Sequence, residues 1–157
     1  YKALFYQYTE TEFSLWIDAS FLIQCNLHDF WKRMYKGPFT APQHPIRNCV
    51  YAEIEAAYTA GRGGCELIHE QGEYYRSLGI PEKNGIITSG VLLRQRTPQV
   101  MALCEAWWNE TNKWSLRDQV SFANVSRGKL FHTVKWEYHR SRELVYIKHS
   151  DSYNKNP

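Results

Sequence analysis

Asp18 closes the run Ser14-Leu15-Trp16-Ile17-Asp18-Ala19-Ser20, in which apolar and aromatic residues deliver one carboxylate at their end. Such a run, bounded by polar residues, reads as a buried strand. In an open α/β sheet, ligands collect just beyond the carboxyl ends of strands. Asp18 therefore stands where a metal or phosphate ligand would be held, and Ser20 adds a second oxygen. The competing reading makes Asp18 a turn residue or a cap for the next segment. A divalent ion bridging a diphosphate takes oxygen ligands and accepts an imidazole. His149 would complete that set with Asp18; its alternative is a solvated tail histidine.

Other residues have a chemical and a structural reading side by side. His44 and Arg47 lie in a loop before a helix, where backbone N–H groups favour anions and a guanidinium suits phosphate. Arg47 could equally be an ordinary surface arginine. Asp118, in Arg117-Asp118-Gln119, either starts a helix and complements its dipole or faces an acceptor hydroxyl as general base or orienting group. Gln71 shares a helical face with Leu67, Tyr74 and Leu78. A buried amide is costly without partners, so Gln71 faces a polar pocket or is satisfied by neighbouring backbone. Glu53 and Glu55 read as a solvated helix face rather than a catalytic pair. The sequons at Asn109 and Asn124 are weak signals.

The elements that would position these groups alternate. The N-terminal stretch reads as a helix or loop followed by a strand over Leu15–Ile17. A helix spans Asn26–Lys36, capped by Asn26, carrying the stripe Leu27, Phe30, Trp31 and Met34, and stopped by Gly37-Pro38. A proline-rich loop, 38–45, follows. Helices over 48–60 and 65–78 end at Gly61 and at Gly79 with Pro81. Residues 85–94 read as one or two short strands around Ser89-Gly90. Thr97-Pro98 opens a helix whose Val100, Leu103, Cys104 and Trp107 recur at helical spacing. A fifth helix starts at Ser115, with Ser115 and Asp118 spaced as a capping box, and ends at Gly128. Strands over 130–136 and 143–148 complete an α/β class with a mixed sheet.

Bulk properties narrow the function classes. The 157 residues suit one domain with a real core, and 43% hydrophobic with 22% charged residues is a globular balance. A net charge of +3 without a basic run argues against nucleic acid as partner. Aromatics reach 15%, enough to stack sugars or to fill a core. The four cysteines are scattered without CxxC spacing, which argues against structural zinc and defines no disulfide framework. No segment approaches the roughly 18 apolar residues of a membrane span. The sequence begins at Tyr1 rather than Met, as a fragment of a longer chain would.

In order, Trp16-Ile-Asp-Ala-Ser20, His44-Pro-Ile-Arg47, Tyr51-Ala-Glu53, Glu70-Gln71 with Tyr75, Gly79-Ile-Pro81, Ser89-Gly90-Val-Leu-Leu-Arg94, Trp107 and Arg117-Asp118-Gln119 stand along the chain. This succession, over about residues 1–125, resembles a glycosyltransferase-like family long catalogued as a domain of unknown function, with plant members related to pectin and mucilage synthesis. It is similar more broadly to GT-A glycosyltransferases. The resemblance implies a GT-A-like mixed sheet flanked by helices, as one glycosyltransferase-like domain over 1–157. That fold's N-terminal nucleotide-binding strands would have to precede Tyr1.

It also implies transfer of a sugar from a nucleoside diphosphate sugar to a hydroxyl acceptor of a glycan, helped by a divalent ion, manganese or magnesium. Asp18 would match the first acid of an Asp-x-Asp-like motif, with Ser20 in place of the second, and His149 would supply a late metal ligand. Asp118 would act at the acceptor or donor sugar. His44, Arg47, Gln71, Gly90, Arg94 and Gln119 would bind substrate, with Arg47 or Arg94 helping to neutralise the diphosphate. The expected location is the cytoplasm, or the Golgi lumen for a piece of a membrane-anchored eukaryotic protein. A non-catalytic carbohydrate-binding protein and a metal-dependent phosphoester hydrolase are the alternatives.

Overall fold

Val91-Leu92-Leu93 is apolar without alternation, as a strand covered on both faces must be. In the computed structural model, which describes residues 2–61 and 65–147, it forms β4 (Val91–Gln95) in the interior of a four-stranded sheet. Val91 and Leu93 face Phe30, Met34 and Leu144. Leu92 faces the opposite way, into a cluster with Phe39, Val100, Leu103 and Trp107. The sheet order is β1 (Phe13–Ile17), β4, β3 (Phe39–Pro42), β5 (His132–Val134). The first two pairings are antiparallel and β3–β5 is parallel, so the sheet is mixed. A separate antiparallel ribbon joins β2 (Phe21–Ile23) to β6 (Leu144–Tyr146).

Helices cover both faces. α1 (Leu27–Met34) packs Phe30 and Met34 on one side, and Asn26 caps it by accepting the His28 and Asp29 N–H groups. On the other side lie α4 (Pro98–Lys113) and α5 (Asp118–Val125). Thr97 caps α4 through the Val100 N–H, and all four residues of its apolar stripe are buried. α2 (Val50–Thr59) and α3 (Cys65–Ser77) build a further cluster with α5. The architecture is mixed α/β with helices flanking a mixed sheet, the class that the sequence implies.

Several local expectations need correction. The proline-rich stretch 38–45 contains strand β3, fully buried between β4 and β5, because tertiary pairing overrides its low local strand propensity. The fifth helix begins at Asp118 rather than Ser115 and has no side-chain cap. Ser115 Oγ instead donates to Gln71 Oε1 at 2.7 Å. The inward stripe of α3 is Ile68, Gln71 and Tyr75, one residue from the expected one, and Leu67 and Leu78 are exposed.

Gln71 is fully buried, and its Nε2 donates to the hydroxyls of Tyr75 at 2.8 Å and Ser121 at 3.2 Å. Side chains from α3, from α5 and from the segment between α4 and α5 satisfy it. Gln71→Ala is expected to cost about 1–3 kcal/mol in urea denaturation, because it strands buried polar partners. Ligand binding per folded molecule should be unchanged; lost binding at undiminished stability would assign Gln71 to a ligand instead.

Candidate active site

Glu53 has 1% of its side chain exposed, so its carboxylate must be paired to be tolerated. Two guanidinium groups do this. Arg47 Nε donates to Oε2 at 2.5 Å, and Arg117 Nη2 donates to Oε1 at 2.8 Å. Arg117 Nη2 also reaches Gln119 Oε1 at 3.3 Å, while Gln119 Nε2 donates to the Ile87 carbonyl at 2.9 Å. The buried Arg117 Nε has no hydrogen-bond partner among the described residues.

His44 completes this side. Its Nδ1 accepts the N–H of Arg47 at 2.9 Å and of Ile46 at 3.3 Å, which makes the 44–47 turn. Its Nε2 lies 3.1 Å from Arg47 Nη2 and 3.7 Å from Glu53 Oε2. Burial, then the neighbouring Arg47 cation, lowers the His44 pKa from 6.5, with Glu53 opposing. With His44 neutral, two guanidinium groups against one carboxylate leave one net positive charge.

These groups line one cleft of about 300 Å³ together with Asp18, Ser20, Phe21, Thr88, Ser89, Gly90, Tyr138 and Tyr146. The β2–β6 ribbon accounts for its aromatic wall. Phe21 pairs with Tyr146 in register, and their rings meet edge to face at 5.6 Å. Tyr138 closes the triangle, 5.9 Å from Phe21 and 5.6 Å from Tyr146. Gly90 lets the chain approach: a Cβ there would lie 3.1 Å from the Phe21 ring and 3.4 Å from Asp18 Oδ2. The Gly90 carbonyl accepts the Asp18 N–H at 2.8 Å.

The carboxylate side is organised around Lys2. Asp18 Oδ1 accepts Trp16 Nε1–H at 2.6 Å and lies 3.2 Å from Lys2 Nζ. Lys2 also donates to Asp118 Oδ2 at 2.9 Å, and Asp118 Oδ1 accepts from Ser89 Oγ at 3.0 Å. Trp107 Nε1 holds the Asp118 carbonyl at 2.7 Å, fixing the start of α5. Asp118 thus sits behind Ser89 rather than on the cleft lining.

Of the residues singled out in the sequence, Asp18, Ser20, His44, Arg47, Gly90 and Gln119 come together here. Gln71 and Arg94 do not. Arg94 is 1% exposed, donates from Nη1 to the Lys2 carbonyl and lies 4.1 Å over the Phe5 ring. Burial lowers its pKa to about 10, which still leaves it charged at neutral pH. His149 lies outside the described residues.

Among the described residues no three His, Cys, Asp or Glu side chains converge as metal ligands, and Lys2 already neutralises Asp18. The described residues alone do not fit a divalent ion. Glu53 corrects the solvated-face reading, whereas Glu55 is exposed. Its signal was present in the sequence: Val50, Glu53, Ile54 and Ala57 share one helical face, so Glu53 interrupts an apolar stripe.

A larger cleft of about 760 Å³ shares His44 and Arg47 with this one and carries Lys83, Arg127 and Lys129. The helix-flanked mixed sheet and the cationic, aromatic-walled cleft suit a protein that handles phosphorylated or sugar ligands. A family model described as "TOD1/MUCI70, glycosyltransferase-like domain" matches residues 3–147. The chain belongs to that family. It is 26% identical over 140 residues to an Arabidopsis thaliana protein named "Probable hexosyltransferase MUCI70". The alignment covers 82% of this chain and 24% of that protein, so the chain spans about a quarter of the relative's length. No solved structure matches the chain significantly. No described helix is long and apolar enough to cross a membrane.

The His44 geometry carries a pH signature. A histidine whose folded pKa is depressed binds fewer protons folded than unfolded, so stability falls as pH drops below the unfolded value of about 6.5. Between about pH 7 and about pH 5, the wild type should lose more thermal stability than His44→Asn, whose amide oxygen can accept the same N–H groups without titrating. Equal losses in both proteins would remove His44 as the origin.

Proposed function

We propose that the chain forms the donor-handling core of a glycosyltransferase that moves a sugar from a nucleoside diphosphate sugar to a hydroxyl of a glycan. The observation that carries this reading is the paired arrangement of Arg47 and Arg117 on buried Glu53, facing a wall of Phe21, Tyr138 and Tyr146. The guanidinium groups supply charge-assisted donors for the diphosphate. Glu53 fixes them before a ligand arrives, so little reorganisation is needed as negative charge grows on the leaving group. The aromatic rings offer flat apolar faces to the sugar.

Asp18, on the cleft lining at the end of β1, faces the hydroxyl-bearing side of the sugar in this reading. Gln119 orients Arg117, and Gly90, lacking a Cβ, lets the main chain lie against Asp18 and Phe21. Asp118 holds Ser89 and Lys2 and acts through them, as a positioning residue. The manganese or magnesium expected from the sequence is given no step here: Lys2 holds the Asp18 carboxylate, and His149 lies outside the described residues.

The test is release of nucleoside diphosphate from a panel of nucleotide sugars, with a glycan mixture as acceptor. Wild-type protein should release it from one class of donor, and Arg117→Gln should lower kcat/KM by roughly 100-fold while keeping a native circular dichroism spectrum. No release from any donor by folded protein would contradict the reading. Sugar binding without release would favour a carbohydrate-binding module.

A further inference from the structure

We infer that Lys2 is the built-in cation of this site, an ammonium seated between Asp18 and Asp118 where a divalent ion would otherwise have to go. Two carboxylates from distant parts of the chain, at the end of β1 and the start of α5, converge on one Nζ. Their distances are 3.2 Å to Asp18 Oδ1 and 2.9 Å to Asp118 Oδ2, and Ser89 Oγ lies at 3.3 Å. The three oxygens that would begin a metal's coordination shell are therefore held by a single ammonium. Only 22% of the Lys2 side chain is exposed, unlike a surface lysine that samples many partners.

The main chain is built to keep it there. Arg94, on the buried strand β4, donates from Nη1 to the Lys2 carbonyl and stacks over Phe5 of the following 3-10 turn. Burying a guanidinium is costly unless it is bonded, so the backbone at Lys2 is anchored by one of the least exposed charges among the described residues. Arg94 thereby belongs to the site indirectly, as the group that positions Lys2. The charge balance agrees. Two carboxylates and one ammonium leave one net negative charge beside the cleft, and without Lys2 the two carboxylates would repel across the same space.

Lys2 and a divalent ion are thus competitors for Asp18. This claim stands on geometry and does not require the transfer reaction, and its readout is metal binding rather than turnover. Manganese is titrated into the wild type, Lys2→Met, Lys2→Arg, Asp18→Asn and the double variant Lys2→Met/Asp18→Asn, with free manganese followed by electron paramagnetic resonance.

Wild type and Lys2→Arg should show no Asp18-dependent site. Lys2→Met should gain one site, at least about tenfold tighter than any in the wild type. The double variant should lose it again. A tight wild-type site that disappears in Asp18→Asn would overturn the assignment. So would a folded Lys2→Met that gains no affinity. If Lys2→Met does not fold, the comparison of wild type with Asp18→Asn decides: Asp18-dependent manganese binding refutes the built-in cation, and its absence upholds it. Either result leaves the test by nucleotide-sugar turnover independent.

Discussion

The burial of Glu53 is the constraint on which the site depends. A carboxylate removed from water costs several kcal/mol unless it is paired, and here the pairing recruits Arg47 from the loop before α2 and Arg117 from the start of α5. Three segments are thereby tied to one point. The 44–47 turn is closed by His44, and the first turn of α5 is held by Trp107 on the Asp118 carbonyl. The guanidinium groups are ordered by the fold itself, which is the condition under which positive charge is most effective toward an anionic leaving group.

The two sheets divide the labour. The mixed sheet supplies rigidity: β4 is buried on both faces and sets the positions of Asp18, through β1, and of Lys2, through Arg94. The small β2–β6 ribbon contributes little core but carries the aromatic wall, with Phe21 and Tyr146 opposite each other. A cationic side and an aromatic, carboxylate-edged side then meet in one cleft, the combination that the proposed ligand, a diphosphate joined to a sugar, would require.

Where local chemistry decides the structure, the sequence shows it. Asn26 and Thr97 cap the helices that follow them, the Val100–Trp107 stripe is buried, and Asp18 ends its strand. Strand β3 was hidden because Pro38 precedes it, Pro42 ends it, and its partners lie more than fifty residues away along β4 and about ninety away in β5. Gln71 and Arg94 show a different limit. Sequence marks a polar residue among apolar ones, yet whether its partner is a ligand or another part of the protein depends on the tertiary fold. Glu53 was legible in its position on an apolar stripe, but a charged residue on a helix is more often solvated. Lys2 carried no local signal, since its three oxygen partners come from separate parts of the chain.

The chain shares its glycosyltransferase-like domain with a family, while the cleft that performs the chemistry is a claim about these residues. Hydrogen–deuterium exchange with and without a saturating nucleoside diphosphate tests that claim most directly. The account predicts slowed exchange in 44–48, 88–91 and 117–120, the segments that bring Arg47, Gly90 and Arg117 to the cleft. Protection confined to 81–85 and 126–131, which line the larger neighbouring cleft, would contradict it.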